Sequence, residues 1–243
     1  MGLCQGDRLL PTYLHCVHKH LALGGSSECN RGFSNSGVGV RDLFGLQLLT
    51  AQDARIRHLK RMHKCAVHGQ KVWRSASVLL DYLQEFPLDK NLRILELGAG
   101  WGLAGIYCAK NFNASVTALD IDPEVFPYLQ LHAELNGVAI TPWISDYAAI
   151  REEQLVNFDV IIGSDICFWD SQTALLLPLI EQIQQLKRRA VIADPGRPPF
   201  IQLVETLLQQ KAAETLAVEN WSVPHPYNVH GLILDTGAPY VEL

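Results

Sequence analysis

Three glycines alternate with other residues in Glu96-Leu97-Gly98-Ala99-Gly100-Trp101-Gly102, a segment that ends a short apolar run. Glycines at the end of a strand let backbone N–H groups approach a ligand, and open α/β sheets bind their ligands at that edge. Asp120 follows 22 residues after Gly98 (120 minus 98), where a carboxylate can accept both hydroxyl groups of a ribose. The pattern therefore predicts a site for a small cofactor that carries a nucleoside.

The register of these glycines determines which cofactor they favour. Gly100 to Gly105 reads as GxGxxG, the pattern of a dinucleotide-binding loop, so that alternative has to be weighed. The predicted strand already turns at Gly98, however, and counted from there the third glycine position is held by Leu103. Glu96 lies two residues before the turn, where an anion would repel a pyrophosphate and attract an ammonium group. S-adenosylmethionine carries an ammonium group and no phosphate, and the segment favours it.

The elements that must position these residues alternate regularly between strands and helices. Such an alternation indicates right-handed βαβ crossovers, so we predict an α/β fold with a doubly wound, Rossmann-like and mostly parallel sheet. The predicted strands are 93–97, 115–120, 138–144, 158–163 and 190–194. The predicted helices are 103–111, 123–136, 172–187 and 199–211, with a loop or short helix before the fourth strand.

The carboxyl-terminal part of the chain departs from this alternation. Residues 216–221 and 230–235 read as two strands, and the connection between them contains Pro224-His225-Pro226 rather than a helix. Two strands so close in sequence pair antiparallel, because a parallel return needs a crossover of a dozen or more residues. We therefore predict a seven-stranded sheet with a terminal antiparallel pair.

These features resemble the class I, seven-strand S-adenosylmethionine-dependent methyltransferases over about residues 68–236. The shared features are an E/DxGxGxG motif, an acidic residue after the second strand and a terminal antiparallel pair. The resemblance implies the strand order 3-2-1-4-5-7-6, with S-adenosylmethionine as methyl donor and S-adenosylhomocysteine as product. It also implies that Glu96, Gly98 and Gly100 surround the methionine part, Asp120 holds the ribose, Ile121 walls the adenine pocket and Asp146 faces the adenine amino group.

Two further segments resemble the branch of this superfamily that contains protein lysine methyltransferases and nicotinamide N-methyltransferase-like enzymes. One is His68-Gly69-Gln70-Lys71-Val72-Trp73, since a Gly-x-x-x-Trp segment lies against the cofactor in that branch; this implies a cofactor-side role for Trp73. The other is Gly163-Ser164-Asp165-Ile166-Cys167-Phe168, which resembles a D-x-x-Y motif at the acceptor. It implies catalytic positions for Asp165 and Phe168 and a cofactor-binding position for Ser164.

Three positions deserve separate interpretation. Phe168 stands in place of the tyrosine of D-x-x-Y, which removes a hydroxyl that could position an acceptor amine. Trp101 stands where the family often has a small residue, and we expect it to crowd or shield the methionine site. Asp194-Pro195-Gly196-Arg197 resembles a segment of the lysine methyltransferases of the electron-transfer flavoprotein β-subunit, and a turn set by proline and glycine explains it equally well.

The amino-terminal part divides into two predicted regions before the methyltransferase domain, which we place at residues 92–243. Residues 1–37 lack a hydrophobic period and are expected to be a poorly ordered extension. Its histidines and cysteines have the spacing of no standard zinc finger, so no metal is expected. Residues 38–91 are predicted to form a helical cap, with helices at about 53–68 and 75–84.

Charge is distributed unevenly along the 243 residues. The net charge of -5 argues against a protein that coats nucleic acid or an anionic membrane over its whole surface. The 20 residues from Arg55 to Arg74 nevertheless carry seven Lys or Arg and no acid. This basic segment is either a solvated helix face or a guide for an anionic substrate.

Composition excludes several classes of protein. With 48% hydrophobic and 19% charged residues, the chain can bury a core, unlike a disordered protein. No apolar run approaches the 18 or more residues of a membrane span, and the amino terminus lacks a secretory pattern. The six cysteines include no CxxC, which favours reduced thiols. We therefore expect a cytoplasmic protein without a membrane partner.

Taken together, the motifs predict an S-adenosylmethionine-dependent N-methyltransferase that methylates a protein side chain, most simply lysine, by direct in-line transfer. A small-molecule or RNA methyltransferase would share every cofactor residue, and the basic segment keeps the RNA alternative open. A third alternative is a non-catalytic cofactor-binding module, which is suggested by the departures at Trp101 and Phe168.

Overall fold

The computed structural model describes residues 39–65, 69, 71–210 and 216–237. The extension predicted over residues 1–37 lies outside the described residues, as do His68 and Gln70 of the Gly-x-x-x-Trp segment. Within the described residues, no helix is both long and apolar enough to cross a membrane.

The described chain forms a two-stranded hairpin and a seven-stranded sheet. The hairpin consists of β1 (Val40–Leu43) and β2 (Leu46–Leu49). The sheet consists of β3 (Arg93–Leu97), β4 (Ser115–Asp120), β5 (Ile140–Ile144), β6 (Val160–Ser164), β7 (Arg189–Asp194), β8 (Ala217–Val223) and β9 (Val229–Asp235). Its order is β5-β4-β3-β6-β7-β9-β8, in which β9 pairs antiparallel with both β7 and β8. Counted from β3, this is the order 3-2-1-4-5-7-6, so the predicted fold is confirmed.

Seven α-helices accompany the strands in the described residues. They are α1 (Ala54–Met62), α2 (Arg74–Glu85), α3 (Leu103–Phe112), α4 (Phe126–Leu135), α5 (Glu152–Leu155), α6 (Asp170–Gln185) and α7 (Pro198–Gln209). Apolar residues of α2, α3 and α4 form one core cluster, and those of α6 and α7 form another. Consecutive residues of β7 alternate between the two clusters, since successive side chains of a strand point to opposite faces. The sheet is therefore covered on both faces.

Most predicted boundaries differ from the observed ones by a few residues, and α1, which was expected to extend to about residue 68, ends at Met62. The third strand of the fold was expected to start at Val138, but β5 starts at Ile140. The backbone N–H groups of Gly137 and Val138 donate to Glu134 and Ala133 in the last turn of α4, so these residues complete the helix end instead of the strand. The terminal pair is longer than predicted, because Ser222, Val223 and Val229 also belong to the β8–β9 ladder.

The amino-terminal cap is not purely helical, as had been predicted for residues 38–91. β1 and β2 pair over Val40–Leu49, and the turn between them uses positive φ angles at Phe44 (54°) and Gly45 (77°). This turn has the twist that suits a two-residue hairpin. The expectation of helices alone was wrong there because Leu-Phe-Gly-Leu-Gln-Leu-Leu is a short apolar run, whose periodicity does not distinguish strand from helix.

Candidate active site

The glycine loop follows β3 at the carboxyl edge of the sheet. Gly98 (φ 58°), Gly100 (φ 52°) and Gly102 (φ 73°) all have left-handed backbone conformations, which explains why glycine is used there. A Cβ on Gly98 would come within 2.7 Å of Ile166 and 2.8 Å of the Tyr147 hydroxyl oxygen. A Cβ on Gly100 would meet no atom within 4 Å. The loop is therefore closed at Gly98 and open to a ligand at Gly100.

Asp120, the last residue of β4, connects its carboxylate to the same loop. Its Oδ2 atom accepts a hydrogen bond of 2.9 Å from the backbone N–H of Gly100, and its Oδ1 atom accepts one of 3.0 Å from Asp122. Burial raises the pKa of this carboxyl, and the backbone donors oppose that rise. Each oxygen retains a second lone pair, so the carboxylate can still accept the hydroxyl groups of a ribose.

Glu96 lies behind the glycine loop. It is buried, and its Oε2 atom lies 2.5 Å from the point that a Cβ on Gly105 would occupy, in the first turns of α3. Burial raises the pKa of the carboxyl to about 8, although backbone N–H groups of α3 favour the charged form. Its Oε2 atom makes no regular hydrogen bond to the described residues.

The residues expected around adenine meet at the ends of β4 and β5. Asp120 and Ile144 are paired in the sheet, and the N–H of Ser145 donates to the carbonyl of Asp120. Ile121 is 66% exposed. Asp146 is half-buried and accepts a hydrogen bond from the N–H of Ala148 through Oδ1. The structure thus brings Asp120, Ile121 and Asp146 to one edge.

Asp165 follows β6 on the neighbouring side of the glycine loop. Its φ angle of 61° is unusual for a residue with a side chain, and such strain concentrates at functional sites. The carboxylate is buried, pairs with Arg197, and makes no regular hydrogen bond through Oδ1 to the described residues. The next residue, Ile166, contacts Gly98. Asp165 therefore lies beside the glycine loop, within the predicted acceptor motif.

Two aromatic rings stand beside Asp165. Trp73 and Phe168 meet edge to face with their centroids 5.4 Å apart, and Lys71 Nζ lies 4.1 Å from the centroid of the Trp73 ring. Trp73 was expected on the cofactor side, and the contact with Phe168 brings it to the acceptor motif as well. Ser164 is the last residue of β6 and directly precedes Asp165 in the chain. It is half-buried.

Trp101 does not crowd the methionine site, so that expectation was wrong. Its ring is 6% exposed and is stacked on Tyr128 and His132 of α4, with both pairs of centroids 5.2 Å apart. Its indole N–H donates to the carbonyl of Gly69 over 2.9 Å. The ring is held in the core beneath the cap and leaves the open side of Gly100 clear.

Arg197 and Asp194 lie with Asp165 and Phe168, although neither was named as a site residue. Asp194 ends β7, and its Oδ1 atom accepts hydrogen bonds from the N–H groups of Gly196 and Arg197. The Arg197 guanidinium pairs with Asp194 and Asp165 and lies 4.1 Å from the centroid of the Phe168 ring. The signal in the sequence was Asp194-Pro195-Gly196-Arg197, which a simple turn explained equally well.

These residues fit S-adenosylmethionine better than a dinucleotide. The space over Gly100 admits a ligand to the backbone, and Asp120 can receive a ribose. Counted from Gly98, Leu103 holds the third glycine position of the dinucleotide fingerprint. Among the residues that the structure describes, no group of three His, Cys, Asp or Glu side chains could hold a metal ion.

The fold and this site define a class I S-adenosylmethionine-dependent methyltransferase. A similar fold occurs in the tRNA (uracil-54, C5)-methyltransferase of Pyrococcus abyssi, whose structure contains S-adenosylhomocysteine. The TM-score is 0.51 at 14% identity, covering 81% of this chain and 42% of that one. Residues 53–198 match the model of the family described as lysine methyltransferase, and the chain belongs to that family.

Curated relatives include lysine methyltransferases with different protein substrates. The mouse electron transfer flavoprotein beta subunit lysine methyltransferase is 31% identical over 131 residues, which are 53% of this chain and 50% of the relative. The calmodulin-lysine N-methyltransferase of Arabidopsis thaliana is 26% identical over 159 residues, 61% of this chain and 52% of the relative. The chain thus spans about half the length of the curated relatives it matches.

Proposed function

We propose that this protein transfers a methyl group from S-adenosylmethionine to a lysine side chain of another protein. The observation that carries the proposal is the cluster of Asp165, Phe168, Trp73 and Arg197 directly beside the glycine loop. The family match and the protein substrates named for the relatives support the same acceptor class. The catalytic domain in this proposal is residues 92–243, with residues 38–91 as its cap.

On the cofactor side, the chain contributes binding and orientation. Asp120 receives the ribose hydroxyl groups, while Ile121 and Asp146 form the adenine side of the cleft. Gly98 and Gly100 form the floor under the methionine part, with Glu96 behind them and Ser164 and Trp73 on the acceptor side. When bound, the cofactor supplies a methyl group on a positively charged sulfur. Direct attack needs no covalent intermediate, so the main contribution of the protein is alignment.

On the acceptor side, Asp165 receives and orients the amine. A lysine must be neutral to act as a nucleophile, and partial exclusion from water together with local charge lowers the cost of losing its proton. Phe168 has no hydroxyl to donate or accept, so its ring contributes an apolar surface for the stem of the lysine side chain. The acceptor amine is thereby aligned by one carboxylate and two aromatic rings.

We also propose that the reaction takes place in the cytoplasm on a folded or extended protein segment. Cys108 and Cys167 are buried free thiols, which suits a reducing compartment. RNA is the second candidate acceptor, and the specific observation in its favour is the seven cations from Arg55 to Arg74.

The test begins with cofactor binding. Isothermal titration with S-adenosylhomocysteine should give a defined affinity for the wild type, and Asp120→Asn should weaken it by about thirtyfold, because two hydrogen bonds to a charged group are worth about 2 kcal/mol. The matched control is Asp89→Asn, an exposed carboxylate at the opposite edge of the sheet, which should leave the affinity unchanged. An equal effect of the two variants would contradict the assignment of Asp120.

The second step identifies the acceptor. Transfer of a radiolabelled methyl group into a cell lysate, resolved with and without protease or nuclease, should yield label that protease removes and nuclease does not. Amino-acid analysis of the labelled product should then give methyllysine. Label that nuclease removes and protease does not would show that the acceptor is RNA and not protein. Binding of S-adenosylhomocysteine without any transfer would instead support a non-catalytic module.

A further inference from the structure

Arg197 bridges two buried carboxylates at the ends of neighbouring strands. Its Nη1 atom pairs with Asp165 Oδ1 and lies 3.0 Å from Asp194 Oδ2. Asp165 is 6% exposed and Asp194 is fully buried. Burial raises the pKa of Asp194, and the Arg197 guanidinium opposes that rise. The three side chains therefore carry a net charge of -1 when both carboxylates are ionised.

The guanidinium also occupies the type of environment that an ammonium group would seek. Its central carbon lies 4.1 Å from the centroid of the Phe168 ring, on the same side as the two carboxylates. A cation over an aromatic face and beside carboxylates is strongly favoured. Without Arg197, the same pocket would present two buried negative charges to any cationic side chain that enters.

This arrangement affects the protonation of a lysine acceptor. A lysine amine has a pKa of about 10.4 in water, so most of it is protonated at neutral pH. Two uncompensated carboxylates would raise that pKa further, whereas a fixed cation nearby lowers it. A methyltransferase needs the neutral amine, because the ammonium form has no lone pair to attack with.

We propose that Arg197 is a positioning residue of the acceptor site, which holds Asp165 in place and neutralises one of the two carboxylates so that an acceptor lysine is not trapped as an ammonium ion. This inference rests on the proposed function. In the reaction, the ammonium group releases its proton to water, and the nitrogen lone pair forms a bond to the methyl carbon. The bond from that carbon to sulfur breaks with its electron pair remaining on sulfur, and the positive charge moves to the nitrogen.

The other titratable groups around Arg197 do not replace it. Cys167 is a buried thiol whose pKa burial raises, so it is uncharged at neutral pH. Asp170, at the start of α6, adds negative charge near Cys167 and reinforces the need for a cation. On the cap, Lys71 reaches the opposite side of the cluster through its contact with the Trp73 ring. Among these groups, Arg197 is the cation in contact with the carboxylates.

Ligand binding tests the charge without an acceptor. Sinefungin is an S-adenosylmethionine analogue with an amine-bearing carbon in place of the methylated sulfur, whereas S-adenosylhomocysteine is neutral there. Isothermal titration of both compounds gives a selectivity ratio, which is the affinity for sinefungin divided by the affinity for S-adenosylhomocysteine. Arg197→Gln should raise this ratio by about tenfold, equivalent to one pKa unit. Arg197→Lys retains the charge and should leave the ratio close to that of the wild type.

Two controls separate charge from damage to the fold. Arg93→Gln removes a comparable arginine–carboxylate pair, with Asp159, at the opposite edge of the sheet and should not change the ratio. Asp165→Asn removes one negative charge and should lower the ratio below that of the wild type. If Arg197→Gln does not fold, Asp165→Asn and Arg197→Lys decide the matter. An unchanged ratio in Arg197→Gln or Asp165→Asn, or a raised ratio in Arg197→Lys, overturns the proposal.

Turnover gives an independent readout with the acceptor found in the labelling experiment. Arg197→Gln should lower kcat by about tenfold near pH 7.5. About one pH unit higher, the kcat of the variant should reach the value that the wild type has at pH 7.5, and the KM for the acceptor should not rise. A purely structural role would lower kcat at every pH and raise KM. If the predicted binding ratios appear but no lysine is methylated, the proposed function fails while the charge assignment to Arg197 stands.

Discussion

Gly100 and Gly45 illustrate how the same residue type serves different purposes in this molecule. Both have positive φ angles, of 52° and 77°, and a Cβ on either would meet no atom within 4 Å. Replacement by alanine therefore costs similar backbone strain at both positions. Only Gly100 lies in the loop that faces the cofactor cleft, so the pair separates strain from ligand access.

The first prediction uses this pair. Gly100→Ala and Gly45→Ala should each lower the free energy of unfolding by about 1 kcal/mol. Gly100→Ala should in addition weaken S-adenosylhomocysteine binding by tenfold or more, because the methyl group occupies the ligand's space, whereas Gly45→Ala should bind normally. Thermal unfolding and isothermal titration measure the two effects. Equal affinities in the two variants would mean that the ligand does not approach Gly100.

The second residue-scale prediction concerns Glu96, whose pKa burial raises from 4.5 to about 8. Because the folded protein holds this proton more tightly than the unfolded chain, the contribution to stability is present below pH 4.5 and is lost as pH rises to about 8. Within that window the loss is about 1.4 kcal/mol for each pH unit. Glu96→Gln cannot lose the proton, so its stability should fall less than that of the wild type.

Denaturant unfolding at pH 5.5, 6.5 and 7.5 measures the difference for Glu96. The matched control is Glu85→Gln, which changes an exposed carboxylate at the end of α2 and should keep the pH dependence of the wild type. Parallel stability curves for wild type and Glu96→Gln would show that Glu96 does not hold its proton in the folded state.

At the scale of elements, α4 joins the cap to the glycine loop. Trp101 of the loop is stacked on Tyr128 and His132, and the backbone N–H of Leu49 in β2 donates to His132 Nε2 over 3.1 Å. Nδ1 of the same ring lies 2.7 Å from the carbonyl of Tyr128, so Nδ1 carries the proton of the neutral ring. One histidine thus connects the hairpin, the helix and the loop.

The third prediction follows from this histidine. Burial lowers the pKa of His132, so the unfolded chain takes up a proton before the folded protein does as pH falls below about 6.5. Wild-type stability associated with His132 should therefore decline below that pH. His132→Gln should be less stable at pH 7.5 but decline less towards pH 5.5. Thermal unfolding at both pH values measures this, with the exposed His58→Gln as control.

If His132→Gln loses as much stability between pH 7.5 and pH 5.5 as the wild type and His58→Gln do, His132 does not cause the decline. Trp101 fluorescence reports on His132 at the glycine loop, because the two rings are stacked. In the folded protein this fluorescence should change only at lower pH, where His132 itself becomes protonated, because the decline in stability begins with proton uptake by the unfolded chain. This links the protonation of His132 to the backbone of the glycine loop.

At the scale of the whole molecule, charge is divided between a basic cap and an acidic remainder. The residues from Arg55 to Arg74 carry +7, and the rest of the sequence carries -12 (13 basic minus 25 acidic). Lys60 and Lys64 are exposed and make no ion pair within the described part of the chain. Such a surface attracts anionic partners and raises association rates in a salt-dependent manner.

The fourth prediction compares two double variants of equal charge. Lys60→Gln with Lys64→Gln should raise the KM for the protein acceptor by about fivefold at low salt, since exposed pairs contribute up to about 0.5 kcal/mol each, and leave kcat unchanged. Lys90→Gln with Lys187→Gln, both exposed at the opposite edge of the sheet, should have no effect. Steady-state kinetics at 50 and 500 mM NaCl measure this, and identical KM values would refute a docking role for the cap.

Sequence patterns were sufficient for the sheet and for the backbone of the cofactor cleft. Strand periodicity, the short terminal connection and the glycine spacing are local properties, because each reflects burial or backbone conformation within a few residues. The strands, the antiparallel terminal pair and the position of Asp120 beside the glycine loop were predicted on this basis, whereas the strand order came from the resemblance to the class I methyltransferases. The short hairpin was missed because its apolar run has too few residues to show a period.

The tertiary structure alone decided which way the important side chains point. Arg197 meets Asp165 only because β6 and β7 are neighbours in the sheet, and Trp101 is buried only because α4 and the cap supply its partners. Glu96 lies behind the loop because α3 packs on that side of β3. Contacts of this kind join residues that are distant in sequence, so periodicity does not encode them. They determine the charge around Asp165 and Arg197, whereas the sequence by itself indicated the edge of the sheet at which the site is proposed.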